Sequence, residues 1–228
     1  MTVTYHPDLI QGSDEWLQAR CGLLTASEMK LIVTPATLKA ADNDKTRAHV
    51  WELLAQRITR YVEPQYIGSD MLRGQEDEVE ARLLYDRTYA KVTDMGFITN
   101  DKWGFTIGFS PDGLVGDDGF IEAKSRAQRF QVQRIAEMLP DPDFVIQMQT
   151  GFLVSERQWC DHVSYSGGLP MLTLRVFPDP VVMAAIEEAA AKFEAKVAEK
   201  WDAYRLALAS SARLLPTERR IVQEMYTS

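Results

Sequence analysis

The residue types best suited to chemistry are concentrated in two short segments, Ser110-Pro111-Asp112-Gly113 and Phe120-Ile121-Glu122-Ala123-Lys124. In an extended strand, residues two apart point to the same face, so Glu122 and Lys124 project together while Ile121 and Ala123 pack on the other side. The Pro-Asp-Gly sequence predicts a turn, and a hairpin at this point lays Asp112 beside Glu122. Two carboxylates at close range are costly unless a cation neutralises them, and hard oxygen donors suit Mg²⁺, with Mn²⁺ as a substitute. A cation held there makes bound water a better nucleophile and stabilises charge developing on a phosphate. Lys124, on the same face, is placed to orient or deprotonate that water, or to stabilise the charged phosphorane. Alone, the same residues also describe a turn aspartate followed by a surface ion pair in a strand.

The elements that must position these residues run in the order helices, strands, helices. Ser13 or Asp14 caps a short helix through Arg20, and Thr25 or Ala26 begins another ending before Pro35, with a loop over 36–44. Val50, Leu54, Ile58 and Tyr61 recur at helical spacing and predict a helix over 45–61, with a second over 73–89. Residues 95–124 turn β-rich and read as an antiparallel meander. Helical periodicity returns over 126–139 and 142–155, and then WCDHVSYS and MLTLRVF read as two more strands. Val182, Ile186, Ala190, Phe193, Val197, Trp201, Tyr204 and Leu208 form the apolar stripe of a long final helix. The expected fold class is therefore α/β (α+β), a mixed sheet of about five strands flanked by helices, in one domain over 1–228.

Composition narrows the functional classes. No apolar run approaches the length of a membrane span and the N-terminus lacks a signal-peptide pattern, so a cytoplasmic protein is expected. Two cysteines, Cys21 and Cys160, exclude a disulfide framework or a cysteine-rich zinc site. A net charge of −8 counts against tight wrapping of nucleic acid. It leaves room for clustered carboxylates and for local basic groups such as Lys45, Arg47, Arg57 and Arg60, or Lys124, Arg126, Arg129 and Arg134.

Asp112, Glu122 and Lys124 are spaced as in the PD-(D/E)xK nuclease motif, and three further segments sharpen that likeness. Glu15-Trp16-Leu17-Gln18-Ala19-Arg20-Cys21-Gly22-Leu23-Leu24-Thr25-Ala26-Ser27 resembles the opening EWxxxRxGxxTAS motif of the YqaJ-type viral recombinase family of lambda-exonuclease-like enzymes. Arg73-Gly74-Gln75-Glu76-Asp77-Glu78 resembles the family's GxxxE helix, and Gln147-Met148-Gln149 its QxQ helix. These segments stand in family order across residues 15–149.

The resemblance implies a restriction-endonuclease-like core and a Mg²⁺-dependent 5′-to-3′ exonuclease acting on double-stranded DNA ends. It assigns Arg20 and Ser27 to a terminal 5′ phosphate. Asp112, Glu122, Glu78 and the backbone carbonyl of Ala123 are assigned to the metal, and Lys124 and Gln147 to the chemistry. A helix beginning near Ser27 and the bidentate fork of Arg20 suit an anion, whereas Gln149, two residues beyond Gln147, should face elsewhere. Glu76, Asp77 and Glu80 fit a solvated helix face. The resemblance further implies a homotrimer, a single-strand annealing protein as partner, and a phage or prophage origin. Leu38, Met71 and Leu72 are candidate apolar wedges for unstacking the duplex end. A PD-(D/E)xK endonuclease or nickase, or an inert DNA-end-binding scaffold, are the competing readings.

Overall fold

A computed structural model describes residues 2–64, 68–210 and 212–219. It opens with β1 (Val3–His6), α1 (Asp14–Arg20) and β2 (Leu24–Thr25), followed by a three-residue 3₁₀ turn (Met29–Leu31), β3 (Val33–Thr34) and β4 (Lys39–Ala40). Ser13 caps α1 by accepting from the Trp16 amide. The helix expected from Thr25 does not form. Leu24 and Thr25 instead pair in parallel with Ile107 and Gly108, and Thr25 Oγ1 donates to Glu28 Oε2 at 2.6 Å rather than capping. Burial of Leu24, Ile32 and Val33 in the core outweighs the local start signal. The predicted 36–44 loop likewise contains β4.

Next come α2 (Asp44–Thr59), opened by an Asn43 capping box, and α3 (Ser69–Thr88), then β5 (Val92–Thr93), β6 (Phe97–Asn100), β7 (Ile107–Phe109), β8 (Gly113–Val115) and β9 (Gly119–Ser125). After α4 (Gln128–Glu137) and α5 (Pro142–Ser155) lie β10 (Trp159–Tyr165), β11 (Leu172–Val176) and α6 (Pro180–Leu208). Asp141 and Asp179, each directly before a proline, accept the free amides that open α5 and α6.

The main sheet has five strands in the order β11-β10-β9-β8-β5. β9 and β10 run parallel, which requires a crossover, and α4 and α5 supply it. The second sheet, β1-β6-β7-β2, has four strands. The expected meander is therefore divided: β6–β7 and β8–β9 are antiparallel pairs, but they belong to different sheets. Pro111 has no amide to donate to a ladder, so the chain leaves one sheet and enters the other at Ser110-Pro111-Asp112.

Two apolar cores meet across β9. Phe120 packs edge-on with Phe109 and Phe152 in the core that α2, α5 and α6 cover, while Ile121 and Ala123 pack with Tyr85 of α3 and Val163. In α6, Val182, Ile186, Ala190, Phe193 and Val197 are buried as the stripe predicts, whereas Tyr204 and Leu208 lie on exposed turns beyond the core. Among the described residues, no helix is long and apolar enough to cross a membrane.

Candidate active site

Strand alternation places Glu122 and Lys124 on one face of β9, and the β8–β9 hairpin brings Asp112 alongside: its Oδ2 accepts from the Ala123 amide at 2.7 Å. Lys124 Nζ lies 2.8 Å from Glu122 Oε1, 3.4 Å from Glu78 Oε1 and 3.6 Å from Asp112 Oδ2. It also donates to the Ala123 carbonyl at 2.9 Å. The four oxygen donors that the resemblance implies thus each lie against the lysine ammonium. Glu78 reaches it from α3. Gln147, on α5, donates from Nε2 to Glu122 Oε1. Gln149 faces away, donating to Phe177 O at 2.9 Å and accepting from the Asp179 amide at 2.8 Å.

Glu122 is completely buried, and its Oε2 is a buried acceptor with no partner. Burial, opposed by Lys124, pushes its carboxyl up to about 8. Burial also raises Glu78. For Lys124 burial acts to lower the ammonium, yet Asp112, Glu122 and Glu78 more than offset it and hold the group charged well above the usual lysine range. Among the described residues, no group of three or more His, Cys, Asp or Glu side chains is spaced to hold a metal ion as it stands; the three carboxylates are spread around the ammonium instead. Four oxygens around the ammonium, with the unpartnered Glu122 Oε2 beside one of them, are of the hard type that suits a divalent cation once Lys124 is displaced.

Asp77 is not on a solvated face, because it accepts from Ser125 Oγ at 2.5 Å and so ties α3 to the end of β9. Behind β9, Asp161 accepts from Tyr85 at 2.6 Å and from Arg175 at 2.8 and 2.9 Å, which anchors α3 to the sheet.

Arg20 forms a second centre. Its guanidinium stacks 4.2 Å over Trp16 and donates towards Thr25 Oγ1 at 3.2 Å, Ser110 Oγ at 3.4 Å and Ser27 Oγ at 3.5 Å. Among the described residues no carboxylate lies within ion-pair distance of it, and burial, opposed by Glu28, lowers its affinity for the proton. A desolvated guanidinium ringed by hydroxyls has the donor set that suits a tetrahedral oxyanion. Ser27 lies beside the guanidinium, but the helix expected to begin near it is replaced by a three-residue 3₁₀ turn, so the donors gathered here are hydroxyls and the guanidinium rather than a helix end.

The resemblance assigns neither Ser110 nor Thr25 a place beside Arg20. Trp16 Nε1 donates to Ser110 Oγ at 2.9 Å and to Gly96 O at 3.1 Å, so Ser110 belongs to the Arg20 cradle while Asp112, two residues on, belongs to the carboxylate cluster. The Ser-Pro-Asp sequence carried this signal, but Ser110 is joined to Arg20 across 90 residues.

The predicted basic clusters are largely committed internally. Arg57 pairs with Glu194, Arg47 with Asp42 and Asp44, Arg126 with Asp141 and Asp143, and Arg134 with Glu137. Of the wedge candidates, Leu38 packs against the main core and Leu72 is half-exposed on α3. The side chain of Met71 lies outside the described residues.

Mixed sheets flanked by helices, with the Asp112 turn feeding the Glu122 strand, define the PD-(D/E)xK, restriction-endonuclease-like class of fold. Residues 15–158 match the YqaJ-like viral recombinase domain, and the chain belongs to that family. It is similar to the alkaline exonuclease LHK-Exo from Laribacter hongkongensis, at 32% identity and a TM-score of 0.77 over 88% of this chain and 100% of that one. The structure of LHK-Exo in complex with dAMP is 34% identical with the same TM-score and coverage. A phage related exonuclease from Haemophilus somnus 129PT shares the fold at 15% identity and a TM-score of 0.52, over 78% of this chain and 96% of that one. No curated protein matches.

Proposed function

We propose that the protein is a Mg²⁺-dependent 5′-to-3′ exonuclease on linear double-stranded DNA, releasing 5′ mononucleotides and leaving a 3′ single strand for annealing-type recombination. The observation that carries this reading is the convergence of Asp112, Glu122, Glu78 and the Ala123 carbonyl on Lys124 Nζ, next to the hydroxyl-ringed Arg20. Membership of a viral recombinase family and similarity to an alkaline exonuclease support it.

Those four oxygens would hold Mg²⁺, or Mn²⁺ in its place. When bound, the ion supplies Lewis-acid charge to the phosphate and makes water more acidic. Arg20, with Ser27, Thr25 and Ser110, grips the terminal 5′ phosphate and sets the next phosphodiester beside Glu122. Lys124, freed from the carboxylates, orients water as the ammonium, or takes the water's proton once it has given up its own, and Gln147 donates to the reacting oxygens. The water oxygen bonds to phosphorus as the bond to the 3′ oxygen breaks. That oxygen leaves and takes a proton from solvent, and a nucleoside 5′-monophosphate departs. Fixing the end phosphate restricts cleavage to ends and to one nucleotide per step. On this reading the working form is a homotrimer around the DNA, and a single-strand annealing protein receives the 3′ strand.

Linear duplexes labelled at a 5′-phosphorylated or 5′-hydroxyl end, incubated with Mg²⁺, test the proposal against a Glu122→Ala variant. Stepwise release of 5′ mononucleotides by the unmodified protein alone, faster from phosphorylated ends, is expected, and covalently closed circles should survive. Internal cleavage, nicked circles or binding without product would overturn it.

A further inference from the structure

The carboxylate cluster opens onto a cleft of about 900 Å³. One wall is the loop 7–12. Gln11 ties it to the turn carrying Asp112, donating to Pro111 O at 2.8 Å and to Met95 O at 3.3 Å. The carbonyl of Leu9 occupies the space where a side chain on residue 96 would stand, so the loop sits directly on the Gly96 backbone. The other wall is α3, which contributes Glu78 and Val79. Trp16 also lines the cleft and is held in place by its bonds to Ser110 and Gly96.

Into this prebuilt space project Ile10 and Val79, 75% and 58% exposed, apolar side chains that the fold itself does not bury. The cleft also lies beside both centres of the site. Ser110 of the cradle and Asp112 of the cluster are two residues apart, at most about 7 Å of chain, a span that one nucleotide's sugar–phosphate backbone bridges. A nucleotide with its 5′ phosphate on Arg20 and its 3′ phosphate at Glu122 must put its base somewhere beside Trp16 and Asp112, and the cleft, lined by both, is an open volume at that place.

We propose that this cleft is the seat of the terminal nucleotide's base, with Ile10 of the loop and Val79 of α3 contacting its faces. The inference rests on the 5′-phosphate anchoring proposed above. Apolar contact does not read hydrogen-bonding edges, so any base is accepted, as an enzyme advancing through arbitrary sequence requires. The nearby cation Arg82 is paired with Asp94, which leaves this wall suited to a neutral heterocycle.

The test measures single-turnover release of the first nucleotide from 5′-phosphorylated duplexes whose terminal residue is normal, mismatched, or an abasic tetrahydrofuran. The enzymes compared are the unmodified protein and an Ile10→Ser/Val79→Ser double variant, whose changes lie at exposed positions. The unmodified protein is expected to lose roughly tenfold on the abasic end, the scale of one base contact, with the mismatched end at least as fast as the paired one. The variant is expected to lose a similar factor on the normal end and little more on the abasic end. Equal loss by the variant on both ends, or an abasic end removed at full speed by the unmodified protein, would overturn the base seat. Absence of any preference for 5′-phosphorylated over 5′-hydroxyl ends in the unmodified protein would instead remove the phosphate anchor on which it rests.

Discussion

Arg20→Met is the most direct perturbation of end recognition. Methionine keeps an aliphatic stem against Trp16 but removes the guanidinium that spans Thr25, Ser27 and Ser110. Hydrogen bonds to charged groups contribute about 1.5–3 kcal/mol, and Arg20 has no competing carboxylate partner at ion-pair distance among the described residues. The loss on 5′-phosphorylated ends should therefore be about 10- to 150-fold in single-turnover rate, since each 1.4 kcal/mol is about tenfold. On 5′-hydroxyl ends the variant should match the unmodified protein within about threefold, because only the interaction with the phosphate is removed. Arg20→Lys, which keeps a point charge without the planar fork, should fall between the two. Thermal melting of both variants separates a folding defect from a binding one. If the two kinds of end slow by the same factor, or if the variant keeps full preference for phosphorylated ends, Arg20 does not hold the terminal phosphate.

Lys124→Met strips the carboxylates of their shared counter-charge. With divalent ions chelated, the variant should lose about 3 kcal/mol of stability in denaturant titration, and added Mg²⁺ or Mn²⁺ should stabilise it more than the unmodified protein; equal ion-induced shifts would contradict the site. Gln147→Ala should slow cleavage without lowering the melting temperature. Gln149→Ala should do the reverse, costing about 1–2 kcal/mol because the Phe177 carbonyl and Asp179 amide lose their partner; a shared outcome for the pair would show that α5 does not sort them by face. His162, held at Nδ1 by the Glu122 carbonyl at 3.2 Å, is pushed down to about 4 by burial. The unfolded chain then takes up a proton that the native state refuses, so its contribution is complete above about pH 6.5 and is lost progressively down to about pH 4. The full swing is about 3 kcal/mol. His162→Met should flatten that part of the stability–pH curve, and an unchanged slope would refute the assignment.

Much of the site was legible because its information is local. Strand alternation over 119–125 places Glu122 and Lys124 together, with Ile121 and Ala123 opposed, and the structure keeps that division. The helix start at Ser13 follows from a polar cap beside an orphan amide. The stretch 25–34 is less legible, because its cap-forming residue types suggest a helix. Pairing of Leu24 and Thr25 with β7 decided otherwise, and nothing within ten residues reports such a partner.

The sequence by itself determined which residues carry chemistry and, through period and turn chemistry, which of them share a strand face or a helix end. Only the tertiary structure decided that Arg20 meets Ser110 across 90 residues, Glu78 meets Lys124 across 46 and Gln147 meets Glu122 across 25. It also decided that the strand-rich segment divides between two sheets at Pro111. Periodicity is a property of neighbouring residues, whereas these meetings depend on which faces of distant elements exclude water together, and that choice is made only when the whole core packs.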